Sequence, residues 1–443
     1  MLFDETQREE PRRTSSVASW VLRTVHSPDR GLPPEIAIGR VPLAIGRAPQ
    51  RDGALVIADP RMSRTHATIA IIGAKAPTIV DSSSNGTFVD GVRVTDAVLA
   101  DGSVLRAGDT FFVVREVPAS LGDAEVPDLV GRAPAMAKLR EAIALVAKAD
   151  ASVLVIGESG TGKELVARAI HARSGREGPL VAVNCAAIPE SLADSTLFGH
   201  VAGAFTGAKG AHDGVLRRAE RGTIFLDEIA ETPPTVQARL LRVLEERVVT
   251  PVGGERAVPI DVRVVAATHV ELRSAVERGA FRGDLYARLS DLTLRTPPLR
   301  ERREDVLPIL ARGLGPDAPP LAPDLVDALL THELPFNVRE LLKIAAELRL
   351  RGKGREVLDR ALVEERFARP PSAPPARARA ISDPPSVREP IEITREHVEE
   401  LVRETGGNVS ELARRLGRSR RQVRRYLDQY GLRERAGDDD ERD

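Results

Sequence analysis

Aromatic residues make up only 3% of this 443-residue chain. That scarcity leaves few platforms on which unstacked bases could stack, which counts against recognition of single-stranded nucleic acid. Cysteine is nearly absent. The single Cys185 excludes a disulfide framework and a cysteine-rich zinc site, and it suits a reducing compartment. An excess of one charge is also lacking: 64 Lys and Arg stand against 65 Asp and Glu, a net charge of −1, so any basic surface for a nucleic acid must be local. No apolar run approaches the roughly 18 residues of a membrane span, and the N-terminal MLFDETQREEPRRTSS has no apolar stretch resembling a secretion signal. The expectation is a soluble, cytoplasmic, multidomain protein with no membrane partner. At roughly 150 residues per domain the length predicts about three domains.

Composition and periodicity divide the chain. Residues 1–16 are polar and charged and read as a tail. Residues 17–117 alternate short β-rich runs (LAIG, ALVIA, ATIAII, TFFVVREV) with Gly/Asp/Asn turns, the spacing of an all-β sandwich. After a linker, 118–128, the apolar strands SVLVIG, GTIFLDE and VRVVAAT alternate with helical patterns over 129–297, which predicts an α/β domain built on a parallel sheet. Residues 298–369 read as mainly helical and 370–390 as a Pro-rich linker. Residues 391–433 read as an Arg-rich helical module and 434–443 as an acidic tail.

The strongest chemical signal is GESGTGKE: Gly157, Glu158, Ser159, Gly160, Thr161, Gly162, Lys163 and Glu164. It follows a strand and opens a helix, the context a phosphate-binding loop requires. Glycines let backbone N–H groups converge on phosphate oxygens, the helix N-terminus adds partial positive charge, and Lys163 can reach the β/γ-phosphates. Glu164 stands where a metal-binding Ser or Thr is usual. Further along, GTIFLDE ends in Asp227, placed to hold Mg²⁺ directly or through water, and Glu228, placed to orient or activate the attacking water. Together these elements predict NTP hydrolysis. Cys185 reads as a small apolar packing residue.

Between them lies FGHVAGAFTGA, with Gly203, Ala204, Phe205, Thr206, Gly207 and Ala208 forming an unbroken GAFTGA. With VAVNCAAIPESL, LDEI, FRGDLYARL and PPLRERREDV, this strongly resembles the central AAA+ ATPase domain of bacterial enhancer-binding proteins, the activators of sigma-54 RNA polymerase, over about 129–369. Glu after the lysine is usual there. The resemblance implies that Asn184 couples Glu228 to the nucleotide state, that Thr268 is the first sensor and Arg339 the second. It also implies that Arg282 and Arg288 reach a neighbouring subunit's ATP in a ring, expected to be a hexamer, and that the hexapeptide contacts sigma-54. The family pattern is departed from at three places: His269 replaces Asn after the sensor threonine, the segment Leu334–Asn337 stands for Trp-Pro-Gly-Asn, and Val201 replaces an acidic residue.

The flanking modules carry their own signals. Arg47, Ser63-Arg64-Thr65-His66 and Asp81 to Thr87 sit on successive turns and resemble a forkhead-associated (FHA) domain, a phosphothreonine-peptide reader. The resemblance implies Arg47 and Ser63 on the phosphate, with Arg64, Ser84 and Asn85 on phosphate or peptide backbone, and His66 as a structural residue. At the other end, Ser410 and Ser419 can cap two helices joined at Gly417. From Gly406 to Arg433 eight arginines meet one Glu and one Asp, and Leu412, Leu416, Val423 and Leu427 supply an apolar face. This resembles a Fis-type helix-turn-helix, with Ser419, Arg420, Arg421, Gln422, Arg424 and Arg425 as candidates for contacting upstream double-stranded DNA. The expected fold is therefore an all-β FHA sandwich, an α/β AAA+ domain with a helical lid, and an all-α DNA-binding module. The expected function is an ATP- and Mg²⁺-dependent sigma-54 activator answering a phosphothreonine-containing protein in a Ser/Thr kinase pathway. The rival is a DNA-tethered phosphoprotein scaffold or repressor with a vestigial ATPase.

Overall fold

The run TFFVVREV sets the architecture of the first third of the chain. A strand with one solvated face alternates buried and exposed side chains; here Thr110 to Arg115 are buried without alternation, so both faces are covered. The computed structural model describes residues 19–39, 41–50, 53–71, 76–117, 126, 129–206, 208, 210–367, 399, 402, 403, 412, 423, 427 and 432. In it the N-terminal region is a β-sandwich of β1 (Ser19–His26), β2 (Glu35–Ile38), β3 (Leu43–Gly46), β4 (Leu55–Val56), β5 (Ala67–Ala70), β6 (Thr78–Asp81), β7 (Thr87–Val89), β8 (Val92–Val94), β9 (Asp96–Val98), β10 (Val104–Ala107) and β11 (Thr110–Val117). One sheet runs β2-β1-β11-β10-β7-β8 and the other β4-β3-β5-β6-β9. Phe112 and Val114 of β11 point between the sheets with Leu22, Ile45, Ile57 and Ile69. Phe111 and Val113 point the other way, as the two-residue period of a strand demands, into an apolar cluster shared with Leu299, Val306 and Leu310.

The α/β domain follows. Its sheet has the order β13-β14-β17-β12-β18, where β12 is Val153–Ile156, β13 Leu180–Asn184, β14 Thr223–Asp227, β17 Arg263–Thr268 and β18 Leu292–Arg295; β15 (Val248–Val249) and β16 (Val258–Pro259) form a separate pair. All four pairings in the main sheet are parallel. Helices α1 (Pro134–Ala147), α2 (Lys163–Arg173), α3 (Glu190–Phe198), α4 (Gly214–Arg218), α5 (Pro234–Glu246), α6 (Leu272–Glu277) and α7 (Gly283–Leu289) surround it. Because the strands are parallel, the ends of β12, β14 and β17 share one edge. That edge brings the glycine-rich loop, Asp227 and Thr268 together, the general position of ligand sites in such sheets.

The lid consists of α8 (Val306–Leu314), α9 (Pro323–Thr331) and α10 (Asn337–Arg351) around Leu310, Leu325, Leu329, Leu341 and Ile344. Leu334 is buried in this core while Phe336 is exposed, so the Leu334–Asn337 departure is accommodated by packing one side chain and exposing the other. The sandwich docks on the lid. Arg115 Nε donates to Glu304 Oε1 at 2.8 Å, a second guanidinium nitrogen meets Glu304 Oε2, and both side chains are about 95% buried. Truncating one partner of a buried pair like this costs about 3–5 kcal/mol, because the other charge stays buried alone. Arg106 pairs with Asp327 at 3.2 Å, and Arg303 with Asp90, across the same contact.

The chain forms two compact units, Met1–Pro370 and Pro371–Asp443. In the second, Leu412, Val423 and Leu427 are helical and buried, as the apolar-face pattern predicts. Leu416, Ser419, Arg420, Arg421, Gln422, Arg424 and Arg425 lie outside the described residues, as does Gly207. Among the described residues no helix is long and apolar enough to cross a membrane.

Candidate functional site

The turn from β12 into α2 has little room for side chains. A Cβ on Gly157 would lie 1.9 Å from Thr296 Oγ1, and Gly160 has φ +77° with a Cβ position 2.2 Å from Phe336 O. Only glycine satisfies either demand cheaply. Gly162, at φ +103°, is the N-cap of α2. Lys163 is buried and donates to Gly157 O at 3.0 Å. Beside it is a cavity of about 630 Å³ whose walls include Lys163, Asp227, Glu228, Arg302, Val338 and Arg339, large enough for a nucleotide.

Asp227 ends β14 and accepts the Glu228 N–H at 3.1 Å. Its pKa is raised, first by burial and then by the neighbouring Glu228 carboxylate, against the pull of Lys163. Burial pushes Glu228 up as well, but the hydrogen bond from His269 and the charge of Lys163 outweigh it and hold the carboxyl below its ordinary value. Glu228 has φ +51°, a region a non-glycine residue seldom occupies and one that surrounding contacts must enforce. Its Oε2 lies 2.6 Å from His269 Nδ1, and its Oε1 lies 3.6 Å from Lys163 Nζ. Asn184, beside Asp227 in the sheet register, has its Oδ1 accepting the Ala186 N–H at 3.0 Å. Burial and the two carboxylates push the Cys185 thiol up to about 12, so it stays an unreactive packing residue.

The lid closes over the loop from the other side. Arg339 donates to Ser159 Oγ at 2.8 Å, and Val338 N–H donates to Gly160 O at 3.1 Å. Asn337 Nδ2 donates to Glu158 Oε2 and Ser159 O, while its Oδ1 accepts the Leu299 N–H at 2.8 Å. Thr268 is buried at the end of β17 and accepts the Val270 N–H. Arg282 and Arg288 are not among the cavity's walls. Both are about half exposed, pairing with Asp284 at 2.7 Å and Glu245 at 3.6 Å.

The hexapeptide folds on itself, with Gly203 N–H donating to Ala208 O at 2.8 Å and Ala208 N–H to Phe205 O at 3.0 Å. Phe205 is 40% exposed and meets His200 edge-on at 5.0 Å. His200 in turn stacks on His212 and contacts Ser195 Oγ at 2.7 Å. Sequence reasoning missed this His200–His212 brace. It missed Arg300, Arg302 and Asn337 as loop contacts too, although the PPLRERREDV motif held two of them.

In the sandwich, three turns converge. Arg47 N–H donates to Ser63 O at 3.1 Å, Ser63 Oγ and Ser84 Oγ are 3.2 Å apart, and Asn85 Nδ2 donates to Arg61 O at 2.7 Å. Arg47, Arg64, Ser84 and Asn85 are exposed. His66 is fully buried, with Nδ1 facing the Ser63 N–H and Nε2 facing Gly86 O. Burial lowers its pKa, so a neutral imidazole ties two of the turns together.

Against known families, residues 129–295 match the sigma-54 interaction domain, 43–108 the FHA domain, and 392–430 the Fis family of bacterial regulatory proteins. The transcriptional regulatory protein ZraR of Escherichia coli K12 is 41% identical over 322 residues, 68% of this chain and 69% of that protein. The chain belongs to the sigma-54-dependent transcriptional regulators. GlrR of the same organism is 41% identical over 313 residues, covering 69% of this chain and 68% of GlrR. AnfA of Azotobacter vinelandii is 38% identical over 320 residues, covering 69% of this chain and 58% of AnfA. Among solved structures, NtrX of Brucella abortus in complex with ADP aligns with a TM-score of 0.51 at 32% identity, over 68% of this chain and 70% of NtrX. As a sigma-54-dependent regulator the chain carries an FHA sandwich, an AAA+ ATP-binding domain and a Fis-type DNA-binding module in that order.

Proposed function

We propose that this regulator hydrolyses ATP in a ring of identical subunits and uses the cycle to open sigma-54 RNA polymerase promoter complexes. Its C-terminal module holds upstream double-stranded DNA, and its FHA domain answers a phosphothreonine-containing protein of a Ser/Thr kinase pathway. One observation carries the reading: Lys163, Asp227 and Glu228 converge on a nucleotide-sized cavity, while Arg282 and Arg288 stand outside it on the surface. A complete set of charged groups argues against a vestigial ATPase, and displaced arginines suit action in trans.

The chain's own groups divide the work. Lys163 and the loop N–H groups hold the β/γ-phosphates, with Arg339 and Thr268 reporting their state. Asp227, a half-buried carboxylate whose negative charge is only partly offset by Lys163, fits Mg²⁺, an oxygen-seeking cation. Bound there, Mg²⁺ would neutralise charge on the phosphates. Glu228 orients the attacking water. Arg282 or Arg288 of the next subunit stabilises the transition-state charge, a contribution worth roughly 10³–10⁵ in rate in comparable ATPases and GTPases. A head-to-tail contact of this kind closes only as a ring.

Phe205 and Thr206 form the output, a small apolar tip suited to anchoring a partner protein. Reconstituted transcription tests this. Thr206→Ala should retain most ATPase activity yet fail to open sigma-54 promoter complexes; open-complex formation at the wild-type level would overturn the assignment.

A further inference from the structure

The segment Leu299–Asp305 is gripped from two sides. On one side the sandwich holds it: Arg115 binds the Glu304 carboxylate and donates to Glu301 O at 3.0 Å, Arg23 reaches Glu304 at 3.5 Å, and Asp90 pairs with Arg303. On the other side it holds the phosphate loop. Arg300 binds both oxygens of Glu158 at 2.6 and 2.8 Å, and Arg302 donates to Thr161 O at 3.1 Å. The Leu299 N–H meets Asn337, whose amide reaches Glu158 and Ser159. Seven residues thus connect β11 to three positions of the phosphate loop.

Contact also runs through the sandwich itself. Asn85 donates to Arg61 O, and the Arg61 N–H donates to Asp59 Oδ1 at 2.9 Å. Asp59 is buried, and its Oδ2 accepts from the Asp109 N–H at 2.7 Å and from Thr110 Oγ1 at 2.9 Å. Thr110 is the first residue of β11, the strand that places Phe111, Val113 and Arg115 against the lid. The turns assigned to phosphopeptide recognition are therefore braced on the strand that grips the segment.

The segment also has unused polar capacity. Arg302 Nε and Asp305 Oδ2 are buried without a hydrogen-bond partner among the described residues. Such atoms are costly, so a rearranged segment that satisfied them would compete with the present one.

The geometry points to Leu299–Asp305 as the coupling element between the phosphopeptide site and the nucleotide site. A ligand bound at one site shifts the segment and changes affinity at the other. This rests on the reading of the sandwich as a phosphothreonine reader. Linkage makes the effect reciprocal: nucleotide must alter peptide affinity by the same factor as peptide alters nucleotide affinity, typically about 5–150-fold. A path of contacts alone does not establish such coupling, so the measurement has to be of affinities.

The experiment uses the full chain, a fluorescent ADP analogue, and a labelled phosphothreonine peptide pool with randomised flanks. Each dissociation constant is measured with and without a saturating amount of the other ligand. The expected result is a reciprocal shift of about fivefold or more. It should be lost in Arg115→Met and reduced in Asp90→Asn, which keeps an acceptor for the Val104 N–H at this φ +50° turn position, removes only the charge facing Arg303, and spares folding if Arg115→Met does not. Two ligands that bind independently would overturn the coupling and leave the phosphothreonine reading intact. A shift that survives in both variants would overturn the route through this segment. Failure of the wild-type chain to bind the pool at all, with ADP binding normal, would instead overturn the reading of the sandwich, and the coupling with it.

Discussion

His269 Nδ1 lies 2.6 Å from Glu228 Oε2, and the His269 N–H points to the same oxygen at 3.4 Å. The imidazole is half exposed while the carboxylate is largely buried. With Lys163 facing the other oxygen, the carboxylate that should orient water is held at both ends. The histidine that departs from the family's asparagine thus contacts Glu228 directly, and Asn184 caps the turn that follows β13.

Removing that contact should impair turnover more than binding. His269→Ala is expected to lower kcat about 10–100-fold, the scale on which misplacing a reacting group by an ångström matters, with little change in KM for ATP. His269→Asn restores an N–H donor and should recover most of the loss. Steady-state kinetics of the two variants check this, and equal losses in both would argue against a positioning role.

Phosphopeptide binding should depend on Arg47 without the fold depending on it. Its side chain is exposed, so Arg47→Ala should change stability by no more than about 0.5 kcal/mol. It removes the main cation for a group carrying about −1.5 to −2 charges, and binding of phosphothreonine peptides should largely vanish. Calorimetric titration alongside a thermal melt separates the two effects. By family resemblance phosphoserine peptides should bind less well than phosphothreonine ones.

Asp305 provides a pH signature. Burial first, and then the neighbouring Glu304 charge, push its carboxyl up to about 6, against the Arg132 and Ala133 N–H donors. Between the ordinary carboxylate value near 4 and about 6, the folded chain binds more protons at this group than the unfolded chain. This group's contribution to stability therefore falls as pH rises through that window. Asp305→Asn keeps an acceptor for the two N–H groups and removes the charge. Its stability relative to wild type should be unchanged below about pH 4 and rise between 4 and 6. Above that it should level off, with a gain on the order of 3 kcal/mol as the ceiling. Denaturant unfolding at a series of pH values measures it.

Local chemistry was the legible part of the sequence. The glycine-rich loop, the Asp227–Glu228 strand end and the three FHA turns are contiguous signals, because each needs particular residues within a few positions. The first two converge because parallel strands end on one edge. What lay hidden depends on pairs distant in sequence. Arg115 and Glu304 are 189 residues apart, and nothing local in REV or RRED announces a partner. The run TFFVVREV does report that both faces of β11 are covered, but periodicity cannot say by what. Asn337, at φ +51°, looked like the end of an altered lid motif; its two-sided amide contacts explain why an asparagine serves there. Resemblance gave Asn184 the role of coupling the nucleotide state to Glu228. Only coordinates reveal His269 beside it, because a substituted side chain can reach a neighbour the usual one does not.

The central claim is an ATP site completed by a neighbouring subunit, and turnover per subunit measured across protein concentration tests it most directly. Specific activity should rise with concentration and level off as rings assemble, while Arg288→Ala binds nucleotide and turns over negligibly at every concentration. Constant turnover per subunit down to concentrations at which the chain is monomeric, with Arg288→Ala as active as wild type, would contradict the account.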